Sequence, residues 1–316
     1  MDMDIVFMGT PEFAVPSLEA LLRSNHRVVG VVTQPDRPRG RGQILTPSPI
    51  KVIAQREQIT VLQPSKMKDP VFLHSLAELK PELIAVAAFG RILPPAVLQL
   101  PPKGCINVHG SLLPKYRGAG PIQWAIINGE SETGITTMLM DEGMDTGAML
   151  LQASIPIEPD DTSGSLSPKL AKLGERLLVE TIEKLVAGDL TPRSQDHSLA
   201  TLAPLLKKED GAIDWRLPAL NLANRIRGLT PWPGAYSFLG PDRWVISRAD
   251  AISESTHDVP GTVIAVAKEA VAVATGNGIL QLREIQPANS RRMTVAQYLA
   301  GHVVRVGMQF GPGTIP

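Results

Sequence analysis

One cysteine, Cys105, is all the thiol that this chain of 316 residues holds. That excludes disulfides within the chain and a zinc site built on several cysteines. An excess of charge of either sign is missing too: 31 Lys and Arg face 31 Asp and Glu, a formal net charge of zero. No global field therefore marks a nucleic-acid partner. The chain is slightly acidic up to Gly188 and slightly basic beyond it, an asymmetry too small to decide anything. No apolar run is long enough to span a membrane, and the opening Met1-Asp2-Met3-Asp4 is acidic, unlike a signal peptide. A soluble, cytoplasmic protein is expected. The dinucleotide glycine pattern is absent as well. Gly9 is followed by Thr-Pro-Glu-Phe where Gly-x-Gly-x-x-Gly would be needed, so no nicotinamide or flavin cofactor is expected.

What is present is an α/β pattern, in a chain long enough for two domains with real cores. Residues 5–9 form a buried-type strand. Thr10-Pro11-Glu12 opens a helix to about Leu22, with Phe13, Val15, Leu18, Leu21 and Leu22 on helical spacing, and residues 27–33 are a second strand. That is the start of a βαβ unit. Helices follow at about 50–56 and 70–79. Apolar or alternating strands lie at 83–88, 132–140 and 149–157, and Thr162-Ser163 caps a long helix to about Ala187. Residues 189–210 are polar, contain Pro192 and Pro204, and read as a connector. Beyond them come a helix at 219–228, short β segments at 234–239, 243–249, 261–267, 270–275 and 278–286, and a short helix at 293–301. Gly276-Asn277-Gly278 is a hairpin-type turn. The expected fold is a Rossmann-like, mostly parallel sheet over 1–188, a linker over 189–208, and a small antiparallel β-barrel, OB-fold-like, over 209–316.

Two segments carry chemistry. Cys105, Ile106 and Val108 form a short apolar strand from which Asn107 and His109 leave on one face. Gly110 lets the chain turn and Pro114 stops the ladder. Two hydrogen-bond donors at the C-terminal end of a strand suit a growing negative charge, and in an open parallel sheet ligands bind at that end. An isolated Asn-Val-His is by itself an ordinary strand end. The second segment, Thr137 to Gly147, runs a strand into a Gly-bracketed acidic loop with Asp145. An acid, an imidazole and an amide on two strand ends make a site for proton transfer and charge stabilisation. A third feature is the Pro- and Gly-rich stretch 34–49. Its Arg37, Arg39 and Arg41 make it a mobile cationic arm, or else a solvated surface loop.

Taken together these pieces resemble the methionyl-tRNA formyltransferase family over essentially the whole chain. The matching segments are Val6 to Ala14, Thr33-Gln34-Pro35-Asp36-Arg37-Pro38, Gly40-Arg41-Gly42, Ile106 to Pro114, Arg117-Gly118-Ala119 and Met144-Asp145-Thr146-Gly147. Beyond the first domain they are Ala203-Pro204, Ile213-Asp214-Trp215 and Pro231-Trp232-Pro233. The resemblance implies a formyltransferase catalytic domain. It implies transfer of a formyl group from 10-formyltetrahydrofolate to the α-amine of methionine on initiator methionyl-tRNA, giving the formylated species for translation initiation. By position, Asn107, His109 and Asp145 are the catalytic set. The resemblance places the folate along Phe89, Gly90, Arg91, Ile92 and Leu93 and near Ser111, Leu112, Leu113 and Pro114. Candidate tRNA contacts are Arg37, Arg39 and Arg41 in the arm, and Lys207, Lys208, Arg291 and Arg292 in the second domain. No metal is implied, and a monomer is expected.

Two departures from the family pattern stand out. Arg39 occupies a position where a small residue is expected, which makes the arm more basic. Asn289-Ser290 precede Arg291-Arg292-Met293 where a lysine pair is expected. The alternative is a folate-dependent formyltransferase acting on a small-molecule amine such as an amino sugar. A formyl-folate hydrolase and a tRNA-binding protein without catalysis are the remaining rivals. The first would be expected to carry a regulatory domain ahead of the catalytic one, and the intact Asn107, His109 and Asp145 argue against the second.

Overall fold

Apolar runs without alternation become strands covered on both faces. In the computed structural model, which describes residues 2–39, 42 and 44–311 (the Arg39 side chain excepted), this is what the first half of the chain does. β1 (Asp4–Gly9), α1 (Val15–Arg23) and β2 (Arg27–Val32) form the opening unit. A 3-10 turn over Glu12–Ala14 precedes α1, so the expected helix starts as two pieces. Next come β3 (Arg37–Arg39), β4 (Ile44–Thr46), α2 (Pro49–Arg56), β5 (Val61–Leu62) and α3 (Pro70–Glu78). Ser48 accepts from the Lys51 N–H at 3.1 Å, Asp69 accepts from the Val71 N–H at 3.0 Å, and a proline fills the first turn of both helices. β6 (Leu83–Ala87) is buried at every position, and α4 (Pro95–Leu98) and β7 (Cys105–His109) follow. The next elements are α5 (Pro121–Ile127), β8 (Glu132–Leu139), β9 (Met149–Pro156) and α6 (Ser163–Ala187).

Seven of these strands make one sheet in the order β5-β2-β1-β6-β7-β8-β9. The pairs from β5 to β7 are parallel, and β7–β8 and β8–β9 are antiparallel. This is the expected Rossmann-like, mostly parallel sheet with an antiparallel edge. Val6, Met8, Ile84, Val86 and Cys105 pack with Phe72, Leu76 and Phe89 on one side of it. Fully burying each large side chain there contributes about 1.5–3 kcal/mol.

The arm, expected as a mobile cationic loop, carries two short strands. β3 and β4 pair antiparallel as a separate two-stranded sheet, and its root is fixed. The buried hydroxyls of Thr33 and Ser48 are 2.7 Å apart, and Lys51 Nζ donates to Asp36 Oδ2 at 2.6 Å. The Lys51 ammonium holds the Asp36 carboxyl below the usual carboxylate range.

The rest of the chain gives α7 (Ala219–Gly228), β10 (Ala235–Leu239), β11 (Asp242–Ile252), β12 (Val263–Ala267), β13 (Ala270–Ala274), β14 (Ile279–Pro287), β15 (Met293–Thr294), α8 (Val295–Leu299) and β16 (Phe310–Gly311). The antiparallel sheet runs β12-β13-β14-β11-β10-β16, with β15 on β14. It curls until its two ends meet at a Thr262–Gln309 bridge, where the Val263 N–H donates to the Met308 carbonyl at 2.7 Å. Inside lie Trp244, Leu282, Ile285 and Phe310, with Trp244 edge-on to Phe310 at 5.4 Å between centroids. This is the small β-barrel that the short strands and their turns led us to expect.

By packing, the chain forms two units. One takes the chain through Pro121, Glu132–Pro156 and Ser167–Pro204; the other takes Ile122–Ser131, Ile157–Leu166 and the chain from Leu205. The sequence could not foresee that α5 and the first turn of α6 join the second core. Trp124 and Ile127 do so by packing on the barrel's apolar cluster. No helix among the described residues is long and apolar enough to cross a membrane.

Candidate active site

β7 carries Asn107 and His109 two residues apart, hence on one face, beside Val86 of β6 and Met138 and Thr136 of β8. Both lie at the C-terminal end of the parallel strands, where an open α/β sheet presents ligands. Asp145 comes from the loop after β8. Its Oδ2 is 3.6 Å from His109 Nδ1 and accepts from the Gly118 N–H at 2.9 Å. The structure therefore brings the acid and the imidazole together.

The histidine's tautomer is fixed by its other nitrogen. His109 Nε2 is 2.9 Å from the Tyr116 carbonyl oxygen, which can only accept, so Nε2 carries the hydrogen. Nδ1 is then the nitrogen open to chemistry, and it faces the carboxylate. At 3.6 Å the two do not form a direct hydrogen bond, which leaves Nδ1 available to a third group. His109 is only 5% exposed, so little water competes there. Asn107 stands differently. Its carboxamide has no hydrogen-bond partner among the described residues, although the residue is half-buried. An amide held without a partner on a strand is a preorganised donor.

Backbone conformation is unusual around this set. Ala88, Tyr116 and Asp145 have φ of 44°, 61° and 54°, in the left-handed region that side chains disfavour. Such residues cluster where the fold holds functional groups against their local preference. The carbonyl that fixes His109 belongs to one of them, Tyr116, and the carboxylate facing it belongs to another.

The other expected site residues divide. Ser111 and Leu113 are buried, and their backbone is spoken for. The Leu113 N–H donates to Thr136 Oγ1 at 3.0 Å, the Thr136 hydroxyl donates to the Ser111 carbonyl at 2.7 Å, and Gln152 donates to the Leu113 carbonyl at 2.8 Å. The Leu113 N–H is therefore not open to a ligand. Leu112 and Pro114 are half-buried. Along the other stretch, Phe89 and Leu93 belong to the core, Gly90 is exposed, and Ile92 is 84% exposed. Arg91 donates to the Ser65 carbonyl at 2.7 Å.

Among the basic candidates, Arg37 is exposed and donates to Gln34 Oε1 at 2.9 Å. Gln34 in turn donates to the Phe89 carbonyl at 2.9 Å, which ties the arm's root to the segment after β6. Arg41 and the side chain of Arg39 lie outside the described residues. Lys207, Lys208 and Arg291 are exposed, and Arg292 is paired with Glu284 at 2.6 Å. Among the described residues no group of three or more His, Cys, Asp or Glu could hold a metal.

Sequence reasoning missed the residues that brace this set. Thr136, Gly118 and Gln195 hold it through contacts that span 25 to 50 residues of chain and follow no local periodicity. The lone thiol, by contrast, is inert. Cys105 is 1% exposed, and burial pushes its thiol up to about 12. Since the thiolate is the reactive form, the folded protein is expected to take up no alkylating reagent at pH 8 and one equivalent in denaturant. Rapid labelling of the native chain, read by mass spectrometry, would contradict this.

The chain matches the formyl transferase family over residues 3–182 and the formyl transferase C-terminal domain over residues 205–303. It is 52% identical over 306 residues to a methionyl-tRNA formyltransferase of Caldanaerobacter subterraneus, covering 96% of this chain and 99% of that one. It is 50% identical over 308 residues to the enzyme of that name from Trichlorobacter lovleyi, covering 98% and 97%. Solved structures share the fold at lower identity. An N-formyltransferase of Helicobacter canadensis, bound to folinic acid and dTDP-3-aminofucose, superposes with a TM-score of 0.66 at 21% identity, covering 89% of this chain and 99% of that one. HypX of Aquifex aeolicus with tetrahydrofolic acid gives 0.61 at 19%, covering 95% of this chain and 47% of that longer one.

Proposed function

This chain belongs to the formyl transferase family, among the methionyl-tRNA formyltransferases, and from that premise we propose that Asn107, His109 and Asp145 move a formyl group onto the α-amine of methionine on initiator tRNA. The observation that supports this assignment is their geometry: an amide without a hydrogen-bond partner among the described residues, on the same strand face as an imidazole whose free nitrogen faces a carboxylate.

The donor we propose is 10-formyltetrahydrofolate. When bound it supplies the formyl carbon, and its nitrogen leaves with a proton as the new amide bond forms. The residues fit such a group. Gly90 and the 84% exposed Ile92 offer surface in the segment after β6, the strand that pairs with β7, and the Asn107 amide is available to an acceptor. The Asn107 carboxamide donates to the formyl oxygen, where negative charge gathers as the amine attacks. His109 adds a second donor from Nδ1 in its imidazolium form, since Nε2 is committed to Tyr116. The Asp145 carboxylate stabilises that cation across 3.6 Å and, directly or through one water, takes the proton that the amine must lose and gives it up to the leaving nitrogen.

The acceptor is read from the relatives of about half identity along nearly the whole chain, whereas the sugar-acting neighbour is 21% identical. The deciding assay offers 10-formyltetrahydrofolate with methionyl initiator tRNA, with a nucleotide-linked amino sugar, or with buffer alone. Formyl transfer to the tRNA alone is expected; transfer to the sugar, or loss of the formyl group to water, sinks the assignment.

In the same reading the arm holds the acceptor end of the tRNA, and Lys207, Lys208, Arg291 and Arg292 add sequence-independent phosphate contacts. Arg37→Ala and Arg41→Ala are expected to raise KM for the tRNA by about ten-fold or more, in keeping with the ~1.5–3 kcal/mol of a charge-assisted hydrogen bond. KM for the folate should stay unchanged. If folate KM rises and tRNA KM does not, the arm belongs to the donor site.

A further inference from the structure

We propose that Gln195, in the polar segment after α6, is a positioning residue that holds Asp145 in its working place. The inference rests on Asp145 being catalytic. Gln195 is 6% exposed, and its carboxamide is fully used. Nε2 donates to two carbonyls of the acidic loop, Asp145 O and Gly147 O, each at 2.8 Å. Oε1 accepts from Arg117 Nη2 at 2.7 Å and Nε at 3.1 Å. Arg117 is itself 7% exposed, and its Nη2 also lies 3.1 Å from His197 Nδ1.

This clamp reaches the carboxylate by two routes. The first is the main chain of the loop: Asp145 sits at φ 54°, and the bond from Gln195 fixes the orientation of the peptide that follows. The second runs through the strand-like seat of the connector. The Arg117 N–H donates to the Thr201 carbonyl at 2.9 Å, the Ala203 N–H to the Arg117 carbonyl at 2.7 Å, and the Gly120 N–H to the Ala203 carbonyl at 3.1 Å. These bonds set the loop from Arg117 to Gly120, whose Gly118 N–H holds Asp145 Oδ2. Tyr116, whose carbonyl fixes His109, donates its N–H to Thr201 Oγ1 at 2.9 Å. The segment that reads as a bare connector therefore braces both members of the acid–imidazole pair.

Glutamine is the side chain this place requires. Facing two carbonyls and one guanidinium, it needs two N–H donors and one acceptor oxygen. A glutamate of the same shape would pair well with Arg117 but would turn an oxygen toward the two carbonyls and push the acidic loop away. Misplacing a reacting group by about 1 Å costs on the order of 10²-fold in rate.

The test is Gln195→Glu in the full-length enzyme, with Gln195→Ala as a second variant in which water can replace the lost bonds. For Gln195→Glu we expect kcat to fall by about 10²-fold, with KM for methionyl-tRNA and for the folate within two-fold of wild type. Gln195→Ala should fall in the same direction by a smaller factor. The decisive readout is the double variant Gln195→Glu/Asp145→Asn. If Gln195 acts through Asp145, it should be no slower than Asp145→Asn alone. Multiplying losses in the double variant, or unchanged kcat in both single variants while Asp145→Asn is slow, overturns the positioning role. If Asp145→Asn itself keeps full turnover, it is the catalytic assignment of Asp145 that fails.

Discussion

Asn107→Ala is expected to lower kcat by about 10²–10³-fold, the usual consequence of losing one preorganised donor to a developing oxyanion. The structure sharpens the reason. His109 has committed Nε2 to the Tyr116 carbonyl, whereas the Asn107 amide has no partner among the described residues and can donate whatever the histidine's protonation state. Folding should be retained, because the Asn107 side chain bonds to nothing among the described residues and its removal strands no partner. Asp145→Asn should be damaged comparably. The amide keeps an oxygen for the Gly118 N–H at 2.9 Å, so geometry survives, but it can neither take a proton nor balance an imidazolium. Because the residues act as a unit, the double variant should be little slower than the worse single one. Single-turnover formylation with tRNA and folate both saturating is the measurement. Near-normal rates in Asn107→Ala would remove this strand end from the chemistry.

How much of this could be read from the residues depends on how local the cause is. β1, β6 and β7 were legible because burial on both faces writes a continuous apolar run, as in Leu-Ile-Ala-Val-Ala over β6. α7 was legible to the residue, between Pro218 and the turn at Leu229. The β3–β4 hairpin was not, because prolines and glycines in a polar stretch carry no period to detect. β5 and α4 are too short to show one. At the site, Asn107, His109 and Asp145 stood out because strand ends and a Gly-bracketed loop are local signals. The tautomer of His109 did not, since it is set by a backbone carbonyl at a φ of 61°. Nor did Gln195, whose partners lie 48 to 78 residues away.

Gly147→Ala is expected to damage stability and turnover together, through position and not through flexibility. A Cβ there would sit 1.9 Å from the Leu139 carbonyl oxygen and 3.0 Å from its carbon, against backbone that is already bonded in the ladder between β8 and β9. No side chain can swing aside, so the loop must open by more than 1 Å to bring that contact to 3.0 Å. Overpacking of this kind costs about 1–3 kcal/mol, occasionally more. The loop that moves is the one that carries Asp145, two residues earlier. A displacement of that size should also cost about 10²-fold in kcat. Gly188→Ala supplies the control. Its φ is +78° with nothing within 4 Å of the new Cβ, so it carries only left-handed strain, about 1–2 kcal/mol. Both variants should therefore melt several degrees below wild type, roughly 2–4 °C per kcal/mol. Only Gly147→Ala should lose turnover measured well below its melting temperature. Equal turnover in the two folded variants would mean that the acidic loop tolerates displacement, and that neither its contact with Leu139 nor the brace from Gln195 matters to the chemistry.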